Sequence, residues 1–190
     1  MAGKQMSRIR PWRLQRSEMV FEHHWYRLRR DWLVLPDGRR VDDYFVSMRP
    51  EVVMIFALTT DDEVVMVRQY KHGAGQLLLE CPGGTFWGGK EDAAVAAARE
   101  LAEETGYTAD AMEFLGTAWD DPTRQDNRLH FFLARNAQLT QAQHLDEHED
   151  IEVVLIPRSR LRRMCLSDEV CVTGTISLVF RALARLSGQD

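Results

Sequence analysis

Apolar positions along the chain fall into runs whose period changes from segment to segment. Apolar and polar residues interleave from Met19 to Leu35 and again from Val41 to Met48. The turn signal Pro36-Asp37-Gly38 stands between these segments, so they predict a β-hairpin. The polar, basic residues 1–17 before them predict a loose arm. Val52 to Leu58 is continuously apolar, the pattern of a central strand. After a turn at Thr59 to Asp62, Val64 to Val67 returns and closes with Arg68-Gln69-Tyr70-Lys71. Leu77-Leu78-Leu79 then leads through Glu80-Cys81-Pro82 into Gly83-Gly84 and a glycine-rich loop, Thr85 to Lys90. The alanine-rich run Ala93 to Ala98, with Gly106 at its far end, predicts a helix from about Glu91 to Thr105. Met112 to Trp119, Leu129 to Ala134 and Ile151 to Ile156 predict further strands, the last stopped by Pro157. Ser159 to Met164 predicts a short helix, and Thr173 to Leu186 an amphipathic one with Ile176, Val179, Phe180, Leu183 and Leu186 on one face.

The helix over 91–105 carries the chemistry. Glu100, Glu103 and Glu104 stand at i, i+3 and i+4, so their carboxylates share one face. Three like charges repel each other, and a hard divalent cation bound to their oxygens relieves the repulsion. A solvated acidic face is the ordinary reading of such a run taken alone. The context displaces it, because strand, glycine loop and acidic helix together form an arrangement suited to phosphate and metal.

These residues resemble the box of the Nudix hydrolases: G, five residues, E, seven residues, then R-E-U-x-E-E-x-G-U, with U bulky and apolar. Glu91, seven residues and Arg99-Glu100-Leu101-Ala102-Glu103-Glu104-Thr105-Gly106-Tyr107 fit it. There are two departures. Six residues separate Gly84 from Glu91, and Tyr107 is aromatic where an aliphatic residue is commoner. Gly88 and Gly89 are the residues suited to absorb the additional one. The resemblance covers about residues 20–186. It implies an α+β fold: a Nudix-like α/β/α sandwich with a mixed sheet, plus an N-terminal antiparallel β subdomain. The expected division is a loose basic arm over 1–17, a hairpin subdomain over 18–50 and the Nudix domain over 51–190.

The same resemblance assigns roles. It implies Mg²⁺, or Mn²⁺, held by Glu100, Glu103, Glu104 and the Gly84 carbonyl, and all-oxygen ligation suits those ions better than zinc. It gives Arg99 the task of orienting carboxylates, and Glu91 a place as ligand or as partner of Arg99. The acidic run His144 to Asp150 falls where ADP-ribose hydrolases of the family carry a catalytic glutamate on a mobile loop. Glu147 is the first candidate and Glu149 the second. Arg68 and Lys71 match a substrate-binding stretch and are candidates for the pyrophosphate, since guanidinium forks onto phosphate and ammonium serves as a point charge. Glu80 is a candidate for base or ribose. Trp25, and more weakly Tyr44, are candidates for stacking on the base from the N-terminal subdomain, which in the relatives also builds a dimer. The loop Asp120 to Asn127 lacks the serine-proline-glycine type sequence often seen in sugar-nucleotide relatives.

Composition narrows the setting. With 190 residues, 45% of them hydrophobic, the chain is long enough for a well-cored domain. A net charge of −5 gives no general attraction to nucleic acid or anionic membrane, so an anionic substrate must be held by local cations. No apolar run reaches membrane-spanning length. The N-terminus is basic (Lys4, Arg8, Arg10, Arg13, Arg16) without an apolar core segment, so it does not read as a secretory signal. Cys81, Cys165 and Cys171 form no framework, which fits a reducing, cytoplasmic setting. The expected activity is cleavage of the pyrophosphate of ADP-ribose or a related nucleoside diphosphate sugar by a homodimer. The alternatives are a Nudix enzyme acting on nucleoside triphosphates or dinucleoside polyphosphates, and a non-catalytic nucleotide-sugar sensor.

Overall fold

The computed structural model describes residues 9–188, which divide into two units. The first is an antiparallel sheet of β1 (Arg13–His23), β2 (Tyr26–Val34) and β3 (Arg40–Met48) in the order β1-β2-β3. Two expectations change here. Of the loose arm, residues 1–8 lie outside the described residues, and Arg13 to Ser17 already pair with β2, Arg13 opposite Val34 and Ser17 opposite Asp31. The segment from Met19 to Leu35 is two strands, turned at His24-Trp25. Every residue of β1 is exposed, so no apolar face marks its start in the sequence. Arg16 and Arg30 lie over the Trp32 ring at 4.5 and 4.6 Å, and Ser17 donates to the buried Asp31 at 2.6 Å. The loop 121–127 belongs to this unit. The Tyr44 hydroxyl donates to Thr123 O at 2.6 Å, Ser47 N to Arg124 O at 2.7 Å, and Arg49 N to Asp126 Oδ1 at 3.0 Å.

The second unit is built on a mixed sheet of β11 (Ile151–Pro157), β5 (Glu63–Lys71), β4 (Glu51–Thr59), β10 (Arg128–Leu139) and β8 (Tyr107–Thr108), in that order. β6 (Gln76–Glu80) pairs with β5, β7 (Gly83–Phe86) with β4, and β9 (Met112–Trp119) with β10. β4 and β10 run parallel; the other pairs are antiparallel. Alternation along the strands sends apolar residues to both faces. Val53, Ile55 and Ala57 of β4, with Phe132 and Ala134 of β10, meet Ala96, Ala97 and Leu101 of α1 (Ala93–Thr105). Met54, Phe56, Phe131 and Leu133 point the other way, toward Leu161 and Met164 of α2 (Arg158–Leu166) and Leu178 and Val179 of α3 (Thr173–Ser187). The sheet is thus covered on both faces, the α/β/α sandwich expected. Among the described residues no helix is long and apolar enough to cross a membrane.

Candidate active site

α1 forms where alanines dominate and is fixed at both ends. The Asp92 side chain caps it, accepting from Ala94 N at 2.8 Å, and Gly106 ends it at φ 74° with its N–H on Ala102 O. β7 holds the glycines in register, Gly83 opposite Met54 and Gly84 opposite Val53. A side chain at Gly84 would overlap the Glu100 carboxylate. Gly83 N donates to Glu104 Oε2 at 2.8 Å. The residue additional to the family spacing lies beyond these contacts. Trp87 O accepts from Lys90 N at 3.1 Å and Glu91 N at 3.4 Å, and Gly89 takes the left-handed conformation at φ 84°. The turn absorbs the insertion without moving Gly84 from its strand.

Arg99 stands at the centre of the acids. Its Nε and Nη2 donate to the Glu91 carboxylate at 3.1 and 3.2 Å, and its Nη1 donates to Glu100 Oε1 and Glu103 Oε2, both at 2.9 Å. These bonds, Glu91 foremost, raise its pKa above the usual guanidinium range. The acids themselves are strained electrostatically. Burial raises the Glu100 pKa against the pull of Arg99. Glu104 is buried, and desolvation takes its pKa from 4.5 to about 8, although its bond from Gly83 opposes the shift. Glu100 and Glu149 add to the rise, and Lys71 opposes it.

Of the loop acids, Glu149 is the one whose charge bears on Glu104. The segment after β10 is fastened to the end of α1: Gln143 Nε2 donates to Glu104 O at 2.6 Å and to Ile151 O at 3.1 Å, and His144 N donates to Glu103 O at 2.8 Å. The turn beyond is closed by Glu149 N on Asp146 O and by Asp146 N on Glu149 Oε2, each at 3.0 Å. The charge of Glu149 acts on both Glu100 and Glu104, and Glu147 and Glu149 are both exposed to solvent. Gln143 escaped the sequence reading because a glutamine in a polar connection carries no pattern.

The other candidates divide by sheet face. Val65 of β5 faces α1, so Lys71, in phase with it, does too, whereas Arg68 is in phase with Val64 and Met66 on the opposite face. Lys71 Nζ pairs with the buried Glu80 at 3.1 Å on the α1 side. Arg68 pairs with Glu152 at 2.7 Å on the α2 side and is not brought to the acids. Trp25 lies exposed in the turn between β1 and β2, and Tyr44 lies on β3. Within that unit an open groove of about 420 Å³ is lined by Tyr26, Asp43, Tyr44, Phe45, Ser47 and Arg124 among others, and the buried Ser47 Oγ has no hydrogen-bond partner there.

Among the described residues no three His, Cys, Asp or Glu side chains are grouped to hold an ion as they stand, since Arg99 draws in Glu100 and Glu103 and Gly83 engages Glu104. The donor set nonetheless has the chemistry of a hard-cation site: carboxylate oxygens on one helix face, more negative charge than Arg99 and Lys71 balance, and a buried acid whose ionisation needs a further cation.

Comparison with known proteins gives concordant results. The NUDIX domain profile matches residues 48–168, and that of the nucleoside diphosphate sugar hydrolase N-terminal domain matches residues 12–47. The chain is 31% identical over 137 residues to an ADP-ribose pyrophosphatase of Bacillus subtilis (strain 168), covering 72% of this chain and 73% of the relative. It is 29% identical to an ADP-ribose pyrophosphatase of Mycobacterium tuberculosis (strain ATCC 25618 / H37Rv), covering 90% and 83%. A methanol dehydrogenase activator of Bacillus methanolicus is 32% identical, covering 73% and 75%. The crystal structure of an ADP compounds hydrolase superposes with a TM-score of 0.84 over 97% of this chain and 98% of that one, at 23% identity.

Proposed function

The chain belongs to the Nudix family of hydrolases, and from that premise we propose that it hydrolyses the pyrophosphate of a nucleoside diphosphate sugar, ADP-ribose first, to a nucleoside monophosphate and a sugar phosphate. The observation that carries this reading is the acid face of α1, where Glu100 and Glu103 gather on Arg99 and Glu104 accepts from Gly83 N. The match of residues 12–47 to an N-terminal domain of nucleoside diphosphate sugar hydrolases favours such a substrate over nucleoside triphosphates.

In this mechanism Glu100, Glu103 and Glu104, with the Gly84 carbonyl, are the residues that would hold Mg²⁺ or Mn²⁺. Such an ion would supply charge neutralisation at the pyrophosphate and Lewis acidity toward the attacking water. Arg99 keeps the carboxylates splayed and oriented, and Lys71 offers an ammonium to the substrate, fixed by Glu80. Glu149 takes the proton of the attacking water, in place of Glu147, because its charge bears on the box acids Glu100 and Glu104. Arg68 has no substrate role in this scheme. Trp25 and Tyr44 of the N-terminal unit remain the candidates for stacking on the base. The N-terminal sheet also joins two copies into a homodimer, and the unpaired cysteines suit the reducing cytoplasm.

The test is a panel of ADP-ribose, GDP-mannose, ATP and a dinucleoside polyphosphate, each with and without Mg²⁺, with products separated by chromatography. Mg²⁺-dependent release of AMP and ribose 5-phosphate from ADP-ribose is expected. Preference for ATP would move the enzyme to the triphosphate branch, and no turnover of any substrate would favour a sensor.

A further inference from the structure

β5 carries a basic residue to each face of the sheet, and only Lys71 is used by the scheme above. Arg68 opens instead onto a groove of about 440 Å³ between β6, the end of β11 and α2. Leu79, Ile156 and Met164 form its apolar floor, and Arg68, Arg160 and Glu169 its polar rim. The groove lies on the face opposite α1, so it is separate from the acid cluster.

Its charges are unequally matched. Arg68 is paired with Glu152 at 2.7 Å. Glu169 is paired with Arg163 at 3.1 Å and accepts from Ser167 Oγ at 2.9 Å. Arg160 makes no ion pair and no hydrogen bond with another described residue. One guanidinium is therefore left over beside an apolar floor. Glu152 and Glu169 would repel a dianion, whereas a single negative charge balances the surplus. A guanidinium fork also accepts a carboxylate through two parallel hydrogen bonds.

We propose that this groove is a binding site for a small organic carboxylate, its charge on Arg160 and its apolar body on Leu79, Ile156 and Met164. Neither half suffices: an exposed ion pair contributes little by itself, and an open apolar floor does not orient a ligand. The two together select a carboxylic acid with an apolar tail over its alcohol and over acetate.

The probe is 4-phenylbutyrate, titrated into the full-length protein carrying ¹³C-methyl methionine, with acetate and 4-phenylbutanol as comparisons. The Met164 methyl signal is identified by its loss in Met164→Leu. A saturable shift of that signal with 4-phenylbutyrate is expected, with both comparison compounds binding about tenfold or more weakly, the scale of one charge-assisted contact. Arg160→Ala removes the shift, Arg160→Lys retains part of it, and Arg162→Ala, one turn face away and exposed, leaves it intact. Arg160 is exposed, so its replacement leaves the core untouched. A Met164 signal that does not move, equal binding of the alcohol, or full binding by Arg160→Ala would each overturn the proposal. The result is independent of whether ADP-ribose is turned over.

Discussion

At the scale of single residues, the box acids were legible because their chemistry depends on local spacing. An i, i+3, i+4 triplet on a helix shares a face whatever the remainder of the chain does. Arg99 was legible for the same reason, four residues before Glu103. The loop acids were not, because the path of their loop depends on bonds from Gln143 and His144 to the end of α1, distant pairings that no periodicity announces. We expect Glu149→Gln to lower kcat by about two orders of magnitude or more, in the range of a lost general base, with Glu147→Gln close to wild type. The reverse ranking would return Glu147 to the role. Glu104 yields a second prediction. Its folded pKa is about 8 against an ordinary 4.5, so between those values the folded protein keeps a proton that the unfolded chain has released. The contribution of Glu104 to the stability of the metal-free protein is therefore fully present below about pH 4.5 and is lost as pH rises toward 8. Thermal melts across that window should show the decline, and Glu104→Gln should flatten it. An unchanged slope in the variant would mean that another group is responsible.

At the scale of elements, strands and helices were read where period and composition agree. The central strand around Val52 to Leu58 and the helix ending at Gly106 extend by no more than two residues in either direction from expectation. β1 was missed at its start, because an edge strand exposed along its whole length has no buried face to impose alternation. Arg68 shows the other limit. Its motif was legible, but the face it occupies follows from strand phase relative to a core not visible in the sequence. The lengthened glycine loop was read as an insertion that Gly88 and Gly89 absorb, and Gly89 does so in the left-handed region. Gly89→Ala should cost about 1 kcal/mol, the penalty of a Cβ at positive φ, whereas Gly88→Ala, outside that region, should stay within about 0.5 kcal/mol. Denaturant unfolding of the two variants measures this. Equal costs would show that the turn's hydrogen bonds matter and not the backbone conformation of Gly89.

At the scale of the whole molecule, the two units have unlike surfaces. The Nudix unit buries an apolar layer on each face of its sheet. The N-terminal sheet has three strands, and Leu14, Met19, Val20 and Phe21 remain exposed on it. So small a sheet buries little of its own apolar surface, and clustered exposed apolar side chains are the mark of an interaction surface. The proposed homodimer covers them and lets one unit stabilise its copy. Light scattering at micromolar concentration should therefore return about twice the 22.0 kDa of the single chain. The double substitution Val20→Asp and Phe21→Asp sets charges on that surface, outside both cores, where burial against a second copy would be costly. It should shift the particle to a monomer while the Nudix unit stays folded by circular dichroism. Such a monomer also separates two uses of the N-terminal unit. If its KM for ADP-ribose rises while kcat is kept, the second copy helps to bind the base. If both constants stay at wild-type values, association serves stability alone, and a wild-type protein that already runs as a monomer would leave these apolar residues to another partner.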